Sequence, residues 1–110
     1  MIVDFATVEE KKIPGFKGGD GTFCTKLVSD ERGCKFMRGH LEEGCSIGYH
    51  THEGNSETVF VLAGEGSVLY DGKELPLQAG QCHHCPEGHS HSLRGKGPEG
   101  LTFYACVIEK

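Results

Sequence analysis

The sequence predicts an all-β fold, an antiparallel sandwich or barrel, and three observations carry that prediction. Seventeen glycines are spread along the 110 residues, and they punctuate apolar runs of about four to eight residues, the pattern of short strands joined by tight turns. No segment is a candidate for a long helix. The stretch "YDGKEL" contains Asp71-Gly72, a two-residue hairpin signal suited to the positive φ angles of a type I′ turn.

In chain order, the first twenty residues, ending in "PGFKGGDG", read as an edge strand and a loose loop. Strands are then expected near 22–28, 35–42, 46–52, 57–62, 66–70, 74–77, 81–85, 89–93 and 101–108. Each is an apolar or alternating run bounded by turn-forming residues. About nine strands in a chain of this length leave room for one domain, 1–110, with no composition break to suggest two.

The balance of 11 basic against 16 acidic residues, a net charge of -5, argues against a nucleic-acid surface. The longest apolar runs, "VFVLAG" and "LTFYACVI", are too short to span a bilayer as helices. The N-terminus "MIVDFATVEEKK" lacks the basic and apolar regions of a signal peptide. A cytoplasmic location is therefore expected, with the six cysteines as reduced thiols. A chain of this size buries a core without crosslinks.

The stretch "YHTHEGNSETVF" raises the chemical question. In a strand, residues two apart share a face, so His50 and His52 project side by side. Glu53 to Asn55 form turns readily, which lets the chain reverse and bring Glu57 back opposite the two histidines. Two imidazoles and a carboxylate converging on one point make most of a transition-metal site. The histidine-rich segment "CHHCPEGHSH" is the obvious source of a fourth ligand.

The glycine frame around these residues resembles the cupin family. Its first motif is matched by Gly44, "CSIGY", His50-Thr51-His52, "EGNS", Glu57, "TVFVLA" and Gly64, and its second by Gly80, "QCHHC", Pro86-Glu87-Gly88, "HS" and His91. The final asparagine of the second motif is replaced by Gly95. Together the motifs occupy residues 44–95. The resemblance implies a single antiparallel β-barrel of the double-stranded β-helix, or jelly-roll, type. It also implies His50, His52, Glu57 and His91 as ligands of one divalent metal. Nitrogen and oxygen donors without thiolate leave manganese, iron, cobalt, nickel or zinc open. Gly44, Gly64 and Gly80 are expected at turns, and Pro86-Glu87-Gly88 reads as a turn aiming the strand of His91.

Several residues near the motifs are left with alternatives. Cys82-x-x-Cys85 has the spacing of half a zinc knuckle or a redox pair. In a strand, however, the two have opposite parity and face opposite sides of the sheet, and Cys24, Cys34, Cys45 and Cys106 stand singly. Either Cys82 with His84 or His83 with Cys85 lines the interior. His89 is a candidate pocket residue or a surface turn residue, and His40 is undecided. Tyr49 should point away from the metal. On the last strand, either Phe103 and Ala105 or Tyr104 and Cys106 face inward.

The fold does not fix a reaction. The resemblance is compatible with a small metalloenzyme of isomerase, lyase, decarboxylase or dioxygenase type, acting on a small carboxylate or a sugar-like molecule. In that case the metal acts as a Lewis acid and a pocket histidine or tyrosine moves the proton. The alternative is a non-catalytic module that binds or senses a small sugar or acid at the same site, and a third is a scaffold or metal store. The apolar "MIVDFATV" invites pairing with a second copy, so a homodimer is expected.

Overall fold

Eight strands form one continuous antiparallel system in a computed structural model that describes all residues 1–110. They are β1 (Lys11–Pro14), β2 (Thr22–Ser29), β3 (Lys35–Leu41), β4 (His50–Thr51), β5 (Asn55–Tyr70), β6 (Lys73–Gln78), β7 (Cys82–Cys85) and β8 (Ser90–Glu109). The only helical pieces are single 3-10 turns at Phe5–Thr7 and Phe16–Gly18. No helix is long and apolar enough to cross a membrane.

The long strands β5 and β8 are the spine. Their outer halves, Asn55–Ala63 and Thr102–Glu109, pair with each other, and β7 and β3 flank them, with β2 and β1 beyond β3. Their inner halves, Glu65–Tyr70 and His91–Lys96, also pair and are flanked by β6 and β4. Two sheets therefore face each other, and the same two strands pass between them. This is the jelly-roll barrel expected from the motifs.

The passage is made at a corner that requires glycine. Pairing jumps from Gly64↔Leu101 to Glu65↔Lys96, which throws Gly97–Gly100 out as a bulge. Gly64 has φ 78°, and a Cβ there would lie 1.8 Å from the Gly100 carbonyl oxygen. A bulge at this place bends both strands sharply enough to change sheets. The Asp71-Gly72 hairpin is also formed, with φ of 48° and 82°, and joins β5 to β6.

Three sequence expectations change in detail. The runs 57–62 and 66–70 are one bent strand, as are 89–93 and 101–108, because a glycine bulge bends a ladder without ending it. The expected strand 46–52 shrinks to His50–Thr51, since Ser46 and Gly48 spend their N–H groups on the N-terminal loop, donating to Asp20 O and Phe16 O, and only Ile47 N–H between them reaches β8, at Leu93 O. The N-terminal edge strand is Lys11–Pro14, while the apolar "MIVDFATV" forms a 3-10 turn with Phe5 stacked on Tyr104 at 5.4 Å.

Inward residues alternate along the strands and build a core from Phe23, Leu41, Val59, Val68, Leu93, Leu101 and Phe103, all nearly or fully buried. On β8, Phe103 and Ala105 face in, while Tyr104 and Cys106 face out. Gly39 leaves space for the rings of Phe103 and Phe23, which a Cβ there would approach to 2.5 and 2.8 Å.

Candidate metal centre

His50 and His91 are direct cross-strand partners in the pairing of β4 with β8. After His52 the chain turns at Gly54, whose φ is 76°, and enters β5, so Glu57 arrives on the inner face beside them. The turn is clamped to the second motif: His52 N–H donates to His89 O at 3.0 Å, and Gly88 N–H donates to His52 O at 2.7 Å. Gly88 has φ 88°, and His89 N–H closes the Pro86 turn. The two motifs are thus fastened to each other by backbone bonds before any ligand is considered.

The four side chains meet at one point. One donor atom from each of His50, His52, Glu57 and His91 lies within 4.8 Å of all the others. His52 Nε2 is 3.0 Å from His91 Nε2, and Glu57 Oε1 is 3.2 Å from His52 Nε2 and 2.9 Å from His91 Nε2. Ligand atoms bonded at about 2.0–2.2 Å to one ion and a right angle apart are separated by about 2.8–3.1 Å. The separations fit adjacent positions around a single cation.

The far side of each ring fixes which nitrogen faces the centre. His50 Nδ1 donates to Gly48 O at 2.7 Å, and His52 Nδ1 donates to Asn55 Oδ1 at 2.6 Å. Both rings are therefore protonated on Nδ1 and turn the Nε2 lone pair inward. His91 Nδ1 lies 3.0 Å from His83 Nε2, and a donated bond from His91 to His83 aligns the third ring in the same way. Outer partners of this kind set the tautomer and orientation of metal-binding histidines. The donor set and its supports fit a divalent transition metal.

Electrostatics point the same way. Burial opposes a charge on Glu57, but its close contacts with His52 and His91 outweigh it and hold the carboxyl down at about 2. Burial pushes His50 down to about 4, against the bond to Gly48, so it is neutral near pH 7. The bond to Glu57 raises His52. Burial, with His91 beside it, lowers His83 to about 4.

The other candidates separate cleanly. His83 and Cys85 face in and are buried, while Cys82 and His84 face out, as their opposite parity requires. All six cysteines are free. Cys85 sits opposite Glu57 in the ladder, yet burial and then the Glu57 charge push its thiol up to about 11, so it is protonated. His89 lies at the surface, bonded to Asp71 at 2.5 Å. His40 is on the outer face, bonded to Thr102 Oγ1 and paired with Glu42. Tyr49 points away and is about half exposed. Composition and spacing did not show the supporting roles of Gly48, Asn55 and His83. Asn55 read only as a turn former, and the strand parity that places His83 inside needed a fixed register.

The quartet lies at the edge of a cavity of about 390 Å³. Ile13, Phe23, Leu27, Met37, Ile47 and Val107 are among its apolar walls, and Phe16 and Lys17 of the N-terminal loop close one side. Lys17, Lys35 and Glu53 are the only charged lining residues outside the quartet.

A two-sheet β-barrel with three histidines and a glutamate gathered beside an internal cavity defines the class to which this chain is assigned. The sequence matches the cupin domain family over residues 37–107, and the chain belongs to that family. It is 32% identical, over 98% of its length and 93% of the relative's, to the oxalate-binding protein of Thermotoga maritima. A crystal structure from the same organism, described as a predicted oxalate decarboxylase, superposes with a TM-score of 0.87 at 29% identity, covering both chains fully. The cupin domain of Schizosaccharomyces pombe Cnp3 superposes with a TM-score of 0.80 at 12% identity, over 100% of this chain and 74% of that one, and shows the same fold.

Proposed function

We propose that His50, His52, Glu57 and His91 hold one divalent transition metal and that the protein uses it to bind a small organic acid. The observation that carries this reading is the convergence of three imidazole lone pairs and a carboxylate oxygen at the edge of a cavity. When bound, the ion supplies a Lewis acid that attracts the oxygens of an acid ligand. Manganese, iron, cobalt, nickel and zinc all suit this donor set. Glu57 cancels part of the ion's charge, and Lys17 and Lys35 leave the cavity biased toward an anion. The name of the Thermotoga relative supports an acid ligand.

Binding is favoured over turnover by what the cavity lacks. A proton-moving histidine or tyrosine was expected in the pocket, but outside the quartet none lines it. His83 and Tyr70 line a separate groove behind His91. A second reading, a metal-dependent lyase or decarboxylase, is favoured by the description of the solved Thermotoga structure and by Glu53 on the cavity wall. The test is calorimetric titration of manganese-loaded and metal-free protein with oxalate, followed by assay for carbon dioxide and formate. Saturable, metal-dependent binding without product supports the receptor. Steady product formation abolished by Glu53→Gln transfers the assignment to the enzyme; no binding in either state excludes oxalate, and no binding of other small acids as well refutes both.

We also propose a homodimer and a cytoplasmic location. The outward face of β3, β8 and β5 presents Phe36, Phe60, Tyr104 and Cys106 beside Val3 and Phe5, an apolar surface of the kind that pairs. Six free cysteines suit a reducing compartment. Light scattering after size exclusion tests the dimer, and Phe60→Lys should shift it to monomer.

A further inference from the structure

The cavity is poorly matched to oxalate alone. Oxalate is a small dianion with no hydrocarbon surface, whereas the space beside the quartet is about 390 Å³ and largely apolar-walled. That volume lies in the range of pockets that enclose ligands of many more atoms. Apolar walls contribute to binding only by covering apolar ligand surface.

A second observation lies away from the metal site. Thr25 is 4% exposed and lines the same cavity. Its Oγ1 is the one buried side-chain nitrogen or oxygen in the protein with no hydrogen-bond partner. Buried hydroxyls are ordinarily partnered, and one left alone beside a cavity is a place where a ligand atom can complete the bond once the threonine rotates toward it. Thr25 pairs with Gly39 on β3, in the cross-strand row that continues through Phe103 to Val61. Glu57 lies four residues before Val61 along β5, so Thr25 lies deeper in the barrel than the quartet's glutamate. The cross-strand row between them pairs Leu27 on β2 with Met37 on β3, and Val107 stands opposite Glu57.

We propose that the ligand is an amphipathic organic acid: an oxygen-chelating head at the quartet, an apolar body along Leu27, Met37 and Val107, and a hydrogen-bonding group at its far end opposite Thr25 Oγ1. The proposal rests on the metal and acid reading above and names the ligand class within it. Lys17 and Lys35 balance the acid's charge, and the absence of any other cavity carboxyl except Glu53 keeps the apolar stretch free of repulsion.

The experiment compares acids that share one head. Manganese-loaded full-length protein is titrated calorimetrically with oxalate, lactate, 3-phenyllactate and 3-(4-hydroxyphenyl)lactate. Phenyllactate should bind at least about tenfold more tightly than lactate, as one added apolar group in a fitted pocket provides. The phenol should bind more tightly again, and Thr25→Val should abolish that last increment while leaving manganese and phenyllactate binding unchanged. Leu27, which is 40% exposed and so tolerant of change, supplies a second variant: Leu27→Ser should weaken phenyllactate about tenfold and leave lactate unaffected. Equal affinities for lactate and phenyllactate overturn the apolar body, and an undiminished phenol preference in Thr25→Val overturns the role of Thr25. Oxalate binding with no gain from any body ends this inference but leaves the acid reading standing. Bound manganese with no affinity for any of the four acids removes the acid reading itself.

Discussion

His52 Nε2 and His91 Nε2 face each other at 3.0 Å, both on buried rings whose Nδ1 atoms are already engaged by Asn55 and His83. Two lone pairs at that distance repel each other, and a positive centre between them removes the repulsion. A proton on His52, stabilised by Glu57, would meet the need in metal-free protein, and a metal ion would meet it for all four side chains at once.

That exchange predicts coupled proton release. Below the raised value of His52, metal uptake should displace its proton, so calorimetric enthalpies measured there in buffers of different ionisation heat should diverge in proportion. His52→Ala and His91→Ala should each lose metal by at least about a hundredfold while keeping a strand-type circular dichroism spectrum. Glu57→Gln should weaken binding and leave the shape intact. Metal content unchanged in the double variant of His52 and His91 would show that the ion sits elsewhere.

The outer partner of His91 offers a separate test. His83 contacts His91 Nδ1 at 3.0 Å and packs edge-on against Tyr70, with centroids 5.1 Å apart. His83→Phe keeps much of the volume and removes the acceptor, which frees His91 to adopt the wrong tautomer. Metal affinity should fall about 10–100-fold, the usual effect of losing such a partner. An unchanged affinity in a folded variant would mean that packing alone orients His91.

The same site makes metal-free stability fall in acid. His50 and His83 take up protons at about 4 in the folded protein and at the ordinary 6.5 when unfolded. Between those values the unfolded chain binds more protons, so stability drops as pH falls from 6.5 toward 4. Glu57, held at about 2 against 4.5, extends the loss below 4.5. His52 has the opposite sign, since its raised value favours the folded state until pH climbs through it. Two histidines outweigh one, and the urea midpoint of metal-free protein should be lower at pH 5 than at pH 7.5. A midpoint that rises on acidification would contradict these assignments.

How far the sequence reached depended on whether local spacing or long-range register decided the matter. His50 and His52 share a face because alternation in a strand is local, and the type I′ turn at Asp71-Gly72 follows from two residues. His91 was reached through the motif resemblance, because its pairing with His50 joins segments some forty residues apart. His83 and Cys85 could not be told from Cys82 and His84, since parity gives two faces but not which one is inner. The merging of strands at Gly64 was hidden for a related reason: glycine reads as a turn, and only the approach of Gly100 converts that turn into a bulge. Thr25 carried no signal, because a threonine in a strand is ordinary until its hydroxyl is seen to lack a partner.

The alternation along "CHHC" carries the last prediction. Cys82 is exposed on the outer face of β7, while Cys85 is fully buried on the inner face opposite Glu57. Sulfurs on opposite sides of a strand are not placed to bond each other. Burial and the neighbouring carboxylate push the Cys85 thiol up to about 11, and a thiol reacts through its thiolate. A disulfide reagent at pH 8 should therefore label Cys82 in native protein and reach Cys85 only after denaturation, when all six cysteines titrate as free. Cys85→Ser should retain full metal content, because a protonated thiol is not one of the ligands. Recovery of a Cys82–Cys85 disulfide from freshly purified protein would require β7 to be bulged, and would restore the redox pair as a serious reading of this segment.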